Sequence, residues 1–191
     1  GGGYSGGSDI STMTSVQIMT TGNAVDFGNL VVAREELSGL SNAIRGIFAC
    51  GYAAPARKND MDYFAIASGG NAVDFGNNTQ DRNSAGAASN STRGLVAGGY
   101  TPSHPSAPNV IDYVEIMTIG DAVDFGDISA NKYGLIGCES PIRAVFAGGA
   151  AHGASAGSRN DKEIFEVSFA SKGNAIEFGT LSQGRVSGGG S

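Results

Sequence analysis

One heptapeptide recurs four times along this chain and dictates what the chain can become. Gly22-Asn-Ala-Val-Asp-Phe-Gly28 returns as Gly70-Asn-Ala-Val-Asp-Phe-Gly76, as Gly120-Asp-Ala-Val-Asp-Phe-Gly126 and as Gly173-Asn-Ala-Ile-Glu-Phe-Gly179. The phenylalanines Phe27, Phe75, Phe125 and Phe178 set periods of 48, 50 and 53 residues. A second landmark lies between them: Arg45-Gly-Ile-Phe-Ala-Cys-Gly51, Arg93-Gly-Leu-Val-Ala-Gly-Gly99 and Arg143-Ala-Val-Phe-Ala-Gly-Gly149. A fixed period of this size is the signature of a repeat architecture in which neighbouring units complete one another's core.

The two halves of each period behave differently. From each Phe to the next closing Gly the distance is always 24 residues, whereas from closing Gly to the next Phe it is 24, 24, 26 and 29. All length variation therefore falls in one segment per repeat: 4–11, 52–60, 100–109 and 150–161. These segments are rich in Gly, Ser, Pro, Ala and Asn, so they read as surface loops, where insertion is tolerated and recognition is commonly placed. The remainder reads as strands. Val16/Ile18, Phe64/Ile66, Val114/Ile116 and Val167/Phe169 alternate with Gln17, Ala65, Glu115 and Ser168, a period of two. A second strand is expected through Ala-Val-Asp-Phe, a third through the region of Arg34, Arg82 and Lys132, and a fourth through the Ile-Phe-Ala or Val-Phe-Ala run. No helical stripe is present. Four short antiparallel strands per repeat make an all-β fold, with residues 1–191 as a single repeat domain.

Composition removes several function classes. The net charge is -6, without the clustered Lys and Arg that a nucleic-acid footprint needs. No apolar run approaches the length that spans a bilayer, so no membrane insertion is expected. Two cysteines, Cys50 and Cys138, and two histidines, His104 and His152, stand too far apart for a zinc site, and no metal or cofactor is expected. Both cysteines are expected to be free thiols. Asp-Phe-Gly spells a kinase triplet, but it returns three times inside a repeat and has no catalytic loop beside it. Gly1-Gly-Gly-Tyr-Ser-Gly6 satisfies a dinucleotide-binding pattern only as text, with no strand before it and no helix after it.

The layout resembles the kelch repeat: the doublet Gly98-Gly99, a loop, a strand with Tyr113, a strand with the large aromatic Phe125, then a basic residue, Lys132. The resemblance spans the chain. It implies kelch-like β-propeller blades, about four of them, forming part of a larger propeller. The kelch aromatic is usually Trp, which this chain lacks, and Tyr63 and Tyr113 have no counterpart at Ser15 or Glu166. There are four Phe-Gly landmarks but three Arg-to-Gly-Gly strands, so the chain is expected to be a window of a longer repeat protein. Ser187-Gly-Gly-Gly-Ser191 also fits a flexible spacer.

The wording of the repeat, Gly-Asn-Ala-Val-Asp-Phe-Gly followed by Arg-x-Val-Phe-Ala-Gly-Gly, resembles virion and tail-fibre proteins of marine bacteriophages. That resemblance implies a non-enzymatic structural or adhesive module located on a virion, outside the cell. Its partners would be other virion proteins, copies of itself, and a host surface glycan or protein met during attachment. A cellular kelch-like protein-interaction module and a propeller carbohydrate-active enzyme are the alternatives. Tyr52, Tyr100, His104 and His152 lie in the variable loops and are the candidate binding residues, because amphipathic aromatics suit a shallow recognition face. Phe27, Phe75, Phe125 and Phe178 are expected to fill the core between repeats. Arg45, Arg93 and Arg143, with Arg34, Arg82 and Arg185, recur once per repeat and are expected to be scaffold. Their expected partners are the recurring acids Asp26, Asp74, Asp124 and Glu177.

Overall fold

The protein is described by a computed structural model over residues 1–101, 109–151, 161–188 and 190. The chain opens with a small hairpin, β1 (Tyr4–Ser5) and β2 (Ser8–Asp9), followed by a two-stranded sheet of β3 (Thr12–Ser15) and β4 (Val25–Asn29). Next comes a four-stranded sheet of β5 (Ser38–Ser41), β6 (Arg45–Ala49), β9 (Asp60–Ala65) and β10 (Val73–Asn77). The hairpin β7 (Tyr52–Ala53) and β8 (Ala56–Arg57) is inserted between β6 and β9. The third sheet holds β11 (Gly86–Ser89), β12 (Arg93–Ala97), β13 (Val110–Glu115) and β14 (Val123–Asp127). The fourth holds β15 (Lys132–Glu139), β16 (Arg143–Ala151), β17 (Glu163–Ser168) and β18 (Ile176–Thr180). Each four-stranded sheet is an antiparallel meander in chain order. The fold is all-β, with no helix among the described residues, and no strand of the first sheet pairs with the last.

Short polar side chains set the turns from the first to the second strand of each four-stranded sheet. Asn42 Oδ1 accepts the backbone N–H groups of Ile44 and Arg45, and Asn90 Oδ1 accepts those of Thr92 and Arg93. Ser140 Oγ does the same for Arg143. Such local bonds are why Asn and Ser favour turns over strand interiors.

The heptapeptide is legible residue by residue. In every copy the strand register slips between the acid and the final Gly, so Phe27, Phe75, Phe125 and Phe178 are each the extra residue of a β-bulge. A bulge re-aims one side chain. Here it turns the Phe onto the face that meets the next repeat. Asp26 Oδ1 and Asp74 Oδ1 close the bulge by accepting the N–H of Gly28 and Gly76, each at 3.2 Å. Gly28, Gly76 and Gly126 lie against the backbone carbonyls of Gly70, Gly120 and Gly173 of the following repeat, and a Cβ at Gly76 would stand 2.5 Å from the Gly120 oxygen. The next repeat is hydrogen-bonded there: Gly70 N–H donates to Phe27 O, Gly120 to Phe75 O and Gly173 to Phe125 O, at 2.7–2.9 Å. The Asn or Asp after each of those glycines accepts the backbone N–H of Asn29, Asn77 or Asp127.

The core consequently lies between sheets. Leu40, Ile47, Met61 and Phe75 of the second sheet pack against Val96, Val114, Ile116 and Ala122 of the third. Ala88, Leu95, Ile111 and Phe125 of the third pack against Ala144, Phe146, Val167 and Phe169 of the fourth. Met13, Leu30 and Phe27 face Phe48, Phe64 and Ala72. Fully burying one such large side chain is worth about 1.5–3 kcal/mol.

Three expectations change. The first sheet has two strands, in line with three Arg-to-Gly-Gly strands against four Phe-Gly landmarks, but β3 ends at Ser15; Val16 and Ile18 lie beyond it rather than in the expected strand, 61% and 93% exposed, because no sheet covers them. Phe75 and Phe125 are buried and Phe27 is half-buried, but Phe178 is 55% exposed for the same reason. Arg34 and Arg82 precede β5 and β11 rather than lying in them, whereas Lys132 opens β15.

Two substitutions separate backbone strain from crowding. Gly76→Ala and Gly179→Ala both place a side chain at positive φ, but only Gly76 faces a neighbouring carbonyl. Gly76→Ala is expected to lower the urea midpoint clearly more than Gly179→Ala, whose cost stays at about 1–3 kcal/mol.

Candidate functional site

Two kinds of segment meet along one edge of the sheets: the described residues of the variable segments that follow β6 and β12, and the connections that lead into β5 and β11. They are zipped together. Glu35 and Tyr52 exchange backbone hydrogen bonds, each 2.8 Å, and Asn83 and Tyr100 do the same at 3.2 and 2.8 Å. This edge carries Tyr52 and Tyr100, and buried charge holds it in place.

Arg34 and Arg82 are completely buried, yet each is paired. Arg34 Nη1 lies 2.8 Å from Asp62 Oδ2, and its guanidinium also donates to the carbonyls of Val32, Phe48 and Cys50. Arg82 Nη2 lies 2.7 Å from Asp112 Oδ2, and donates to the carbonyls of Val96, Gly98 and Val110. The carboxylates are used twice, since Asp62 accepts Val31 N–H and Asp112 accepts both the N–H and the hydroxyl of Thr79. Each guanidinium fork thus ties the segment entering a sheet to the second and third strands of that sheet. Arginine suits this because its planar donors stay charged and fan outward.

The fourth sheet solves the same problem differently. Lys132 replaces the arginine, and Phe165 occupies the place of Asp62 and Asp112. The ammonium sits 4.7 Å from the Phe165 ring and pairs with Asp161, at 2.7 Å, and with Glu163. Burial pushes the Asp161 carboxyl up, but Lys132 and the N–H groups of Lys162 and Glu163 outweigh it and hold the group below its ordinary value.

These partners are a correction. Asp26, Asp74, Asp124 and Glu177 are exposed and pair with none of the buried bases. The signal for Asp62 and Asp112 was present in the sequence as a twice-repeated Asp-Tyr doublet. Two other arginines act between sheets: Arg45 donates to Ile116 O of the next sheet at 2.9 Å, and Arg93 to Phe169 O. Arg93 also pairs with Glu115, and Arg143 with Glu166. Cys50 and Cys138 are free; Cys50 is buried, which raises its thiol, and Cys138 is half-exposed.

Tyr52 and Tyr100, from successive loops, are brought together by a residue that sequence reasoning missed. The Arg57 guanidinium carbon lies 5.5 Å from the Tyr52 ring centroid and 4.5 Å from that of Tyr100, and Arg57 Nε donates to Asn83 Oδ1 at 3.1 Å. Tyr100 in turn meets Tyr133 edge-on at 5.7 Å. Tyr52, Arg57, Tyr100 and Tyr133 form a half-buried band across three sheets, with phenol and guanidinium groups suited to stacking and hydrogen bonding. Arg57 and Tyr133 recur in no other repeat, so periodicity pointed past them. His104 and His152 lie outside the described residues. Beside the band, Ala54 N–H donates to Asp9 of the preceding hairpin at 3.0 Å, and Tyr4 is 61% exposed.

A second concavity, about 400 Å³, runs along the first strands of the sheets between Ser41, Phe48, Phe64, Ser89 and Glu139. Burial raises the Glu139 carboxyl there, opposed by a backbone N–H from Ser89. No group of three His, Cys, Asp or Glu able to hold a metal ion occurs among the described residues. Comparison of the chain with protein-family models and with curated proteins finds no match.

The two solutions to buried charge predict separable behaviour. Asp112→Ala leaves Arg82 buried without its counter-ion and is expected to cost about 3–5 kcal/mol in urea denaturation. Asp161 is held below its ordinary value of 3.8, so its stabilisation is complete above that value and is lost as pH falls through its folded-state value. Asp161→Asn is therefore expected to flatten part of the acid loss of stability below about pH 4, measured as melting temperature against pH.

Proposed function

We propose that this chain is a run of kelch-like β-propeller blades serving as a non-enzymatic structural and adhesive module of a phage particle, in a tail fibre or capsid appendage. One observation carries the reading. A scaffold cross-tied by buried ion pairs confines its length variation to one edge, and that edge bears the Tyr52–Arg57–Tyr100–Tyr133 band. The four-stranded meanders, each packing a face on its neighbour, have the strand order that a propeller blade requires. The virion setting, outside the cell, rests on the wording of the repeat. In this reading the module contacts other virion proteins through its scaffold and a host surface glycan or protein through loops 4–11, 52–60, 100–109 and 150–161. Stacking aromatics beside a guanidinium suit sugar rings or aromatic side chains of a receptor.

The test is binding to a panel of marine bacterial cells and surface glycans. Deleting residues 101–108, or replacing Arg57 by Ala, is expected to weaken binding by about tenfold or more while the melting temperature of the rest stays close to that of the parent chain. Unchanged binding with an intact fold would leave the module purely architectural.

A further inference from the structure

Where the loop edge of one repeat rests on the next, three sequence positions meet. The first comes immediately before the closing glycine: Gly2, Gly98 and Gly148, at φ 66°, 61° and 69°, and Cys50, at φ 60°. The second lies three residues past each heptapeptide Phe and holds Leu30, Ile128, Leu181 and, in the second repeat, Asn78. The third lies ten past it and holds Leu37, Leu135, Ala85 and, in the last repeat, Gly188. Beside Gly2 and Gly98 the other two positions take up the space. A Cβ on Gly2 would stand 2.5 Å from Leu37 Cδ1 and 3.0 Å from Leu30 Cδ1, and one on Gly98 would stand 2.8 Å from Leu135 Cδ1 and 3.5 Å from Ile128 Cδ1.

The junction between the second and third sheets departs at all three positions. Cys50 carries a side chain in a left-handed backbone that suits glycine, and the leucine that would crowd it is Ala85. Asn78 is 3% exposed, as buried as Leu30 at 4% and Ile128 at 1%, yet its Oδ1 has no hydrogen-bond partner among the described residues. Arg34 Nε donates to Cys50 O, whereas Arg82 turns Nη1 to the equivalent Gly98 O and leaves its buried Nε without a partner among the described residues. The Cys50 thiol lies beside that guanidinium. What crosses this junction at the loop edge is polar: Glu36 accepts Asn83 Nδ2 and, at 2.6 Å, Ser84 Oγ, and Ser38 Oγ donates to Ala85 O at 2.8 Å. Such bonds are exchanged for bonds to water when two faces part, whereas apolar burial is lost outright. The heptapeptide half of the junction matches its neighbours, with Gly120 N–H donating to Phe75 O at 2.8 Å.

We infer that the loop-edge half of this junction is a seam at which the scaffold opens first, the entry segment 78–85 moving with the third sheet and away from Cys50 while the heptapeptide half stays closed. Opening lets water reach Asn78 Oδ1 and Arg82 Nε, and so removes the cost of burying them unpaired. The third–fourth junction offers no such gain, because Ile128 and Leu135, at 1% and 5% exposure, stand in the places of Asn78 and Ala85. The entry segment keeps its root in the third sheet, since Arg82 remains tied to Asp112, Val96, Gly98 and Val110. The seam runs beneath the aromatic band. Arg57 belongs to the hairpin of the second sheet, whereas Asn83, which accepts its Nε, and Tyr100 belong to the third. Opening therefore parts the band between Arg57 and Tyr100 and gives the loop edge two settings. The seam follows from comparison of the repeats; only its bearing on recognition rests on the adhesive reading.

Equivalent backbone amides report on the two junctions. Gly51 N–H donates to Arg82 O across the seam at 2.9 Å, and Gly99 N–H donates to Lys132 O across the next junction at 2.8 Å; both glycines are buried. The experiment is amide hydrogen exchange by NMR on the 191-residue chain in native buffer, each rate corrected for its local sequence. Gly51 is expected to exchange about tenfold or more faster than Gly99. The triple variant Cys50→Gly, Asn78→Ile, Ala85→Leu rebuilds the pattern of Gly98, Ile128 and Leu135. It is expected to slow Gly51 to the rate of Gly99 and to leave Gly99 unchanged. Asn78→Ile alone, which touches neither the Cys50 backbone nor Ala85, is expected to give part of that slowing with an unchanged circular dichroism spectrum, and it decides the matter if the triple variant does not fold. A parent chain in which Gly51 exchanges no faster than Gly99 overturns the inference. So does a fast Gly51 whose rate the folded variants leave where it was.

Discussion

Spacing between repeats is set by one steric contact: a glycine in each bulge lies directly against the backbone carbonyl of the glycine that opens the next heptapeptide. No side chain fits between Gly76 and Gly120, nor between the equivalent pairs. At that distance the two backbones hydrogen-bond, the Asn or Asp side chain reaches back to cap a strand N–H, and the bulged Phe fills the space beneath. Asp26 and Asp74 close the bulges that aim Phe27 and Phe75. Other features of the sheets follow from that approach, because each sheet has one face that only a neighbouring sheet can cover.

Against this apolar stacking, the loop edge is held by charge. Arg34 and Arg82 are fully buried and would be costly alone, but a carboxylate and several carbonyls engage each, although Arg82 Nε has no partner among the described residues. The effect is positional. The segments entering β5 and β11 cannot drift from the strands they precede, so the loops that vary in length spring from fixed roots. That is the setting in which Tyr52, Arg57, Tyr100 and Tyr133 come into register across three sheets. Where Phe165 displaces the acid, Lys132 reaches instead to Asp161 and Glu163 at the sheet margin. The fourth repeat thereby keeps the tie while changing its chemistry.

Much of this was legible in the residues. The repeat, its fixed and variable halves and the all-β class follow from spacing and alternation. Tyr52 and Tyr100 were found because they occupy equivalent loop positions. Arg57 and Tyr133 were not, because a residue that occurs in one repeat leaves no periodic trace. The acids Asp26, Asp74 and Asp124 recur as faithfully as the arginines and were paired with them on that ground. Recurrence reports that a residue is used in every repeat, but not what it touches. Asp26 and Asp74 serve the bulge locally, whereas the buried arginines find Asp62 and Asp112 on a strand 28 and 30 residues away.

Sequence alone determined the unit: its period, its strands, its turns and the place where length may change, since these depend on local alternation, on turn chemistry and on counting. Only the tertiary structure decided which face of each unit is covered. Val16, Ile18 and Phe178 have the same character as residues buried elsewhere, yet lie exposed, because burial belongs to the neighbour and not to the residue. The heptapeptide encodes both sides of a junction, and a side is filled only where another repeat stands against it.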